Sequence, residues 1–250
     1  MTGLGCLVKK ELREQLRTHR LLVVGSLFTL FGLVTPLLVK MLPQIVRLAG
    51  EQVPVELPPP TAFQAIEEYA STMGQMGLLA AILVGMGAIA REVEQGTAAM
   101  TLGKPVSRGA FVVAKMLGVA ATFVLSLAAA VGSYFYTVVL FEAVNPASYL
   151  YLNLLLGEFL LVCLAVTLLC STMFRSQLAA GGLALALLIG QSIVSALPWV
   201  GRYLPGSLVS LGMAAVKDGS IQVSPAVAVG AVEIGVCLLA AWWMLRRKEL

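Results

Sequence analysis

The chain has 250 residues, of which 59% are hydrophobic and 12% are charged, and its formal net charge is +4. Soluble domains carry about 25% charged residues, so this composition excludes a soluble enzyme. The modest positive charge does not indicate a nucleic-acid-binding protein. Apolar runs of about 20 residues can cross a hydrocarbon core about 30 Å thick. The composition therefore predicts an all-α membrane protein with several transmembrane helices.

The first predicted element is an amphipathic helix over residues 4–20. Its basic residues gather on one side of the helical wheel and its apolar residues on the other, where Glu11 and Gln15 interrupt them. Such a helix before a span is expected to lie in the headgroup layer, attracted to anionic lipid. The alternative is a basic flank that only sets orientation, and the amphipathic pattern favours the interfacial helix. The basic set is Lys9, Lys10, Arg13, Arg17 and Arg20, and the apolar set is Leu4, Leu7, Val8, Leu12 and Leu16.

Six apolar segments follow, and each is predicted to span the membrane. Arg175, Ser176 and Gln177 alone separate the fourth from the fifth, and a short turn between antiparallel helices accommodates them. The spans make one transmembrane domain over residues 1–250. They are predicted at residues 21–39, 73–90, 116–141, 151–174, 178–197 and 226–245.

The distribution of basic residues predicts the orientation. Of the 17 lysines and arginines, all but Lys40, Arg47, Arg202 and Lys217 fall on one side of the predicted spans. Lysine and arginine are enriched in cytoplasmic loops. Both termini and the connection at residues 91–115 are therefore predicted to be cytoplasmic.

Two connections on the opposite side are longer than a turn requires. Residues 41–72 hold a proline-rich stretch, which predicts an irregular segment, followed by a short amphipathic helix that leads into the second span. Residues 198–224 contain Trp199 and Tyr203, which favour the membrane interface. We interpret residues 198–224 as an external re-entrant segment. The alternative, a flexible loop, does not explain its apolar content.

Small residues recur at four-residue spacing in two spans, at Gly77, Ala81 and Gly85 and at Gly182, Ala186 and Gly190. Such stripes allow helices to approach closely. Packing within the chain is the first interpretation, and a dimer seam is the second.

Two acidic residues, Glu158 and Glu233, stand inside apolar runs. An intramembrane carboxylate is costly, so it usually faces a cavity or a partner. These residues are candidates for the lining of a substrate route. The alternative is a protonated or hydrogen-bonded carboxyl packed between helices, which is the favoured interpretation for Glu233.

The sequence lacks the patterns of several chemistries. The four cysteines do not form a disulfide framework, and those inside apolar runs are interpreted as packing residues. His19 is the only histidine, and Gly103-Lys104 is followed by Pro105, which excludes a phosphate-binding loop there. We predict no catalytic residue, no metal site and no cofactor in this chain.

The connection at residues 91–115 carries the most specific pattern. It reads Glu92-x-Glu94-x-Gly96-Thr97, then Pro105-Val106-Ser107-Arg108, then Lys115. This pattern resembles the signature of type-2 ABC exporter permeases. Residues 8–12 (VKKEL) and 246–250 (RRKEL) are similar to the elbow helix and the usual ending of that family. The departure lies at residues 98–100 (AAM), where bulkier leucines are common.

The resemblance implies the type-2 ABC exporter fold and one membrane half of an exporter in a bacterial or archaeal cytoplasmic membrane. A second copy or a homologue would face it, and a separate ATPase subunit, holding ATP and Mg, would dock beneath. Residues 96–105 would be the coupling helix. An extracytoplasmic accessory protein is a further candidate partner. The residues implied in ATPase coupling are Arg91, Glu92, Glu94, Gly96, Thr97, Met100, Pro105, Ser107 and Arg108.

The physics of the motif fits a coupling helix. Gly96 can turn the chain into a helix that Thr97 caps and Pro105 ends. Arg91 and Arg108 can meet acidic grooves on a partner. A positively charged topological anchor would explain the charges but not the spacing. Two rival functions are a non-transporting subunit that relays ATP-driven motion and, less favoured, an intramembrane enzyme.

Overall fold

The computed structural model describes residues 2–49, 59–97, 107–141, 144–197, 199–222 and 224–247. Within these ranges all regular secondary structure is helical. A single 3₁₀ turn lies at Gly201–Tyr203. The α-helices are α1 Thr2–Arg17, α2 Arg20–Ala49, α3 Ala62–Gly85, α4 Gly87–Glu94, α5 Arg108–Val131, α6 Ser133–Leu140, α7 Pro146–Met173, α8 Gln177–Ser195, α9 Ser207–Asp218 and α10 Pro225–Arg247.

Six helical units are long and apolar enough to cross a membrane, which confirms the predicted number of spans. Two of these units consist of consecutive helices, α3 with α4 and α5 with α6. The remaining four are α2, α7, α8 and α10. The protein is therefore an all-α, multi-pass membrane protein.

Each spanning helical unit begins before its predicted apolar segment, and in α3 a capping group sets the start. The short helix expected before the second span is the beginning of α3 itself. Thr61 caps α3, since its side chain accepts from the Gln64 amide at 3.3 Å, and Gln64 Oε1 accepts from the Thr61 amide at 3.1 Å. This reciprocal capping box fixes the start of the helix well before the apolar run.

The central helix of the bundle is α7, which contacts α3, α4, α5, α8, α9 and α10. Its leucines at four-residue spacing are fully buried, and they lie on one side of the helix. Apolar residues around most of its circumference explain why it is enclosed. These leucines are Leu152, Leu156, Leu160 and Leu164.

The two small-residue stripes have different surroundings. A β-carbon on Gly77 would lie 2.5 Å from Leu160 Cδ2, and one on Gly85 would lie 2.9 Å from Thr167 Cγ2. The first stripe is therefore a close packing surface between α3 and α7. A β-carbon on Gly182 or Gly190 would meet nothing within 4 Å among the described residues. The second stripe faces away from the other helices that the structure describes.

Four buried polar residues in α3, α6 and α7 form what we call the tyrosine cluster. The Tyr69 hydroxyl donates to Asn153 Oδ1 at 2.7 Å, and Asn153 Nδ2 donates to the Tyr149 carbonyl at 2.9 Å. Ser133 Oγ and Tyr149 Oη lie 3.1 Å apart. All four residues are buried, so these hydrogen bonds satisfy groups that no water reaches.

Residues 199–222 hold α9, which packs on α7. A β-carbon on Gly212 would lie 2.6 Å from Leu152 Cδ1, so this glycine allows the close approach. Gly219 ends α9 in the left-handed conformation, with φ of 70°. The segment predicted to be re-entrant thus contains a helix anchored on the central helix.

Candidate coupling site at the inner end of the bundle

Four parts of the chain meet at one end of the bundle, which we call the inner end. They are α1, the end of α4, the first half of α5 and the end of α10. Lys115 of α5 contacts both Glu11 of α1 and Glu92 of α4, and Arg108 of α5 contacts the last turn of α10. The first and last described helices therefore flank the connection that resembles the coupling hairpin.

A buried ion cluster joins three of these parts. Lys115 Nζ lies 2.8 Å from Glu11 Oε2 and 2.6 Å from Glu92 Oε1. The Lys115 side chain is 4% exposed, so both ion pairs are shielded from water. Lys10, at the surface, lies 3.6 Å from each of the same two carboxylates. We call Lys10, Glu11, Glu92 and Lys115 the inner ion cluster.

The face of α1 that contacts the bundle consists of Leu7, Glu11 and Gln15, which are spaced at four residues and buried. A β-carbon on Gly118 would lie 2.7 Å from Glu11 Cβ, so this glycine lets α1 rest against α5. Glu11 and Gln15, which interrupt the apolar side in the sequence, thus lie on the face of α1 that packs against the bundle.

The remaining surface of α1 has both the apolar and the basic residues of the amphipathic helix that the sequence predicts. Leu12 and Leu16 are exposed, Leu16 to 61%, and so are the basic side chains. The exposed basic residues are Lys9, Lys10, Arg13 and Arg17. This arrangement suits an interfacial helix, which stays our prediction for α1.

The helix predicted over residues 4–20 is divided in the structure. α1 ends at Arg17 and α2 begins at Arg20. His19, between them, has a left-handed backbone with φ of 58°. That conformation breaks a right-handed helix, so the chain turns here from α1 into the first span.

Ser171 of α7 positions α4. Its hydroxyl donates to the Met86 carbonyl at 2.8 Å and accepts from the amides of Ile89 at 3.0 Å and Ala90 at 2.9 Å. These groups flank the junction between α3 and α4. The side chain therefore satisfies backbone groups at the break and fixes the direction in which α4 leads toward the connection.

The first arm of the connection emerges at the surface. Arg91 and Glu94 are exposed, whereas Glu92 belongs to the inner ion cluster. Gly96 follows α4 with φ of 68°, a conformation that favours glycine and turns the chain away from the helix axis. The Thr97 hydroxyl donates to the Glu92 carbonyl at 3.3 Å. Met100 and Pro105 lie outside the described residues.

The second arm begins with two anchored residues. Ser107 caps α5, since its hydroxyl oxygen accepts from the Ala110 amide at 3.1 Å. Arg108 Nη1 donates to the carbonyls of Leu245 at 2.7 Å and Arg246 at 2.8 Å. Arg108 thus binds the carboxyl end of α10, a position where a positive charge is favoured.

The sequence of the chain matches a known protein family. The model of a family described as "ABC-2 family transporter protein" matches residues 6–201. The chain belongs to the ABC-2 transporter family. The resemblance drawn from the sequence motifs is thereby confirmed. The ABC-2 match includes every member of the inner ion cluster and the whole 91–115 connection.

A relative of this ABC-2 protein has been found in Bacillus subtilis (strain 168). The chain is 26% identical over 213 residues to the uncharacterized transmembrane protein YxlG, and the aligned part covers 83% of each protein. The similarity therefore extends over most of both chains. The relative is named as a transmembrane protein, which agrees with the six candidate spans of this chain.

The two intramembrane acids of the ABC-2 chain have different surroundings. Both carboxylate oxygens of Glu233 on α10 accept from Gln191 Nε2 of α8, each at 2.9 Å. Glu158 Oε1 on α7 is buried against Gly230 and has no hydrogen-bond partner in the described part of the chain. No described hydrogen bond joins the two acids, so their carboxyl groups lie in separate polar environments.

Proposed function

We propose that this chain is the membrane half of an ABC exporter, coupled through residues 91–115 to a separate ATPase subunit that binds and hydrolyses ATP. The main support is the family match over residues 6–201, which contains the connection and both helices that carry it. The exposure of Arg91 and Glu94 beside the turn at Gly96 is compatible with contact to a soluble partner. In this proposal the inner end of the bundle faces the cytoplasm.

The inner ion cluster suggests how motion would enter the bundle. α4 and α5 carry the two arms of the connection, and Lys115 binds both α4 and α1 through its two short ion pairs. A displacement of the connection by an ATPase would therefore carry α1 with it. If α1 lies in the headgroup layer, this movement would also act on the surrounding lipid.

Dimerisation and the route of the cargo are further parts of the proposal. Two such halves, identical or homologous, would meet in the membrane, and the open stripe at Gly182 and Gly190 gives α8 a surface that can be approached closely. Glu158 and Glu233 are retained as candidate route residues. The described geometry favours a hydrogen-bonded packing role for Glu233.

The experiment that tests the coupling assignment uses a matched pair of glycines. Gly96 and Gly219 both have positive φ, and a β-carbon at either position would meet nothing within 4 Å. Proline cannot adopt positive φ, so Gly96→Pro and Gly219→Pro should impose similar local strain. Affinity purification in mild detergent should recover a stoichiometric partner carrying a phosphate-binding loop with the wild type and with Gly219→Pro, but not with Gly96→Pro.

Arg108→Glu is the second variant for this experiment. It should lose export and coupling while the six-span bundle still enters the membrane. Retention of the ATPase by both Gly96→Pro and Arg108→Glu, with unchanged export, would falsify the coupling assignment.

The length of α2 favours a second candidate, a subunit that relays motion to an extracytoplasmic protein. α2 has 30 residues, and at about 1.5 Å per residue it exceeds the thickness of a hydrocarbon core of about 30 Å. Its final turns expose Leu42 and Leu48, Leu48 to 84%. Recovery of an additional partner on the outer side, lost on Leu48→Glu, would support this candidate over export alone.

A further inference from the structure

A recess of about 290 Å³ opens at the inner end between α1, α4 and α5. Its lining includes three carboxylates, from Glu11, Glu14 and Glu92, and two amides, from Gln15 and the exposed Gln95. Lys115 uses one oxygen of Glu11 and one of Glu92, as described above. The remaining polar atoms of these side chains decide what the recess can bind.

Two buried acceptor atoms in the recess have no partner among the described residues. They are Glu92 Oε2 and Gln15 Oε1. Gln15 is 3% exposed, so its amide oxygen is shielded from bulk water. Glu14 forms no salt bridge in the described part of the chain. An unpartnered buried acceptor carries a free-energy penalty, which a cation or an ordered water would remove.

The spacing of the carboxylates suits a divalent cation. One oxygen from each of Glu11, Glu14 and Glu92 lies within 4.8 Å of the others. Oxygens on opposite sides of Ca²⁺ lie about 4.6–5.2 Å apart, and those around Mg²⁺ about 4.0–4.2 Å apart, given the usual ligand distances. We propose that Glu11, Glu14, Glu92 and the Gln15 amide oxygen form a binding site for a hard divalent cation, Mg²⁺ if this end is cytoplasmic.

The charge around the recess limits how tightly such a cation would bind. Lys10, Arg20, Arg91 and Lys115 also line it. Lys115 would keep its ion pairs with one oxygen of Glu11 and one of Glu92. The Lys10 side chain is 47% exposed, so it can move into water when a cation replaces it. Three carboxylates against these basic groups predict a weak site, with a dissociation constant of about 10⁻⁴ to 10⁻³ M, the weak end of the range known for protein Ca²⁺ sites.

A cation in the recess would bridge α1 to α4. Glu11, Glu14 and Gln15 belong to α1, and Glu92 belongs to α4. The ion would thus reinforce the contact that Lys115 makes between the same two helices. This inference rests on the geometry of the chain itself, so it can fail while the coupling proposal stands, and the reverse is also true.

The test uses the purified full-length chain in detergent without any ATPase, with Mn²⁺ as a paramagnetic probe for the oxygen site. Free Mn²⁺ measured by electron paramagnetic resonance should show one site per chain that added Mg²⁺ displaces. Glu14→Gln removes a carboxylate without leaving a buried partner charge, and Glu94→Gln removes an exposed acid of α4 as the matched control. Glu14→Gln should weaken Mn²⁺ binding about tenfold or more, since affinity follows the charge of the ligands.

Gln15→Leu tests the amide oxygen independently and should weaken binding without changing the charge. The proposal is overturned if the wild type binds no Mn²⁺ at millimolar concentration, which would leave the recess to water or to a basic side chain of a partner. It is also overturned if Glu14→Gln and Glu94→Gln bind Mn²⁺ as the wild type does.

Discussion

Two buried polar clusters each hold three helices together, and they use different chemistry. The inner ion cluster joins α1, α4 and α5 through charged groups, whereas the tyrosine cluster joins α3, α6 and α7 through hydroxyls and an amide. The charged cluster lies at the end of the bundle, where Lys10 still reaches the surface. The neutral cluster is closed off completely. The two clusters therefore differ in chemistry as they differ in access to water.

The physical reason is the cost of desolvation. A buried ion pair requires both partners, because removal of one leaves an uncompensated charge. A buried neutral hydrogen bond leaves a smaller penalty when one partner is lost. We therefore expect the inner ion cluster to be more sensitive to single substitutions than the tyrosine cluster, and the following variants test that difference.

Lys115→Met should have the largest effect. It leaves Glu11 and Glu92 without their shielded counter-charge, and breaking a buried pair in this way costs about 3–5 kcal/mol. The measurement is thermal unfolding in detergent by circular dichroism. Lys10→Met is the matched control, since exposed ion pairs contribute less than about 1 kcal/mol. Equal melting temperatures for the two variants would contradict a buried, essential Lys115.

Gly118→Ala should have an intermediate effect. The new β-carbon would lie 2.7 Å from Glu11 Cβ, so α1 must move away from α5, and overpacking of this kind costs about 1–3 kcal/mol. Faster protease cleavage between α1 and α2, near His19, would report the movement. Gly5→Ala, where nothing lies within 4 Å, is the control. Identical cleavage of the two variants would argue against the packing of α1 on α5.

Tyr69→Phe should have the smallest effect of the three. It removes the donor to Asn153 Oδ1 and keeps the aromatic packing, and hydrogen bonds inside membrane proteins average about 0.6 kcal/mol. Tyr151→Phe is the control, because its hydroxyl donates to the Gln222 carbonyl at an exposed site. A loss of stability for Tyr69→Phe as large as that for Lys115→Met would reverse the ranking of the two clusters.

The sequence was sufficient for the features that depend on local pattern. Apolar length predicted six spans, and the motif from Glu92 to Arg108 indicated the family. The turn expected at Gly96 is also local, and the described backbone has Gly96 at positive φ. Such features need no knowledge of distant contacts.

The contacts of the inner end could not be predicted, because their partners are far apart in sequence. Glu11 interrupts an apolar helix face, and only the fold brings Lys115 to it from a later span. Arg108 likewise finds its acceptors in the last helix. Gln15 and Ser171 carried a weaker signal, a polar residue on a face that is otherwise apolar. Two polar residues four positions apart on an amphipathic helix therefore have two interpretations. They can lie on the face that packs against the protein, or they can interrupt a face that contacts lipid.

Arg108 has a consequence for the opposite side of the membrane. It holds the end of α10, a helix of 23 residues and about 35 Å at the usual rise per residue. Just before the other end of α10, the Gln222 carbonyl accepts from Tyr151 on α7 at 2.6 Å. α10 is thus held at Arg108, and an exposed hydrogen bond from Tyr151 lies just before its other end. A movement of Arg108 along the axis of α10 would be transmitted toward this hydrogen bond.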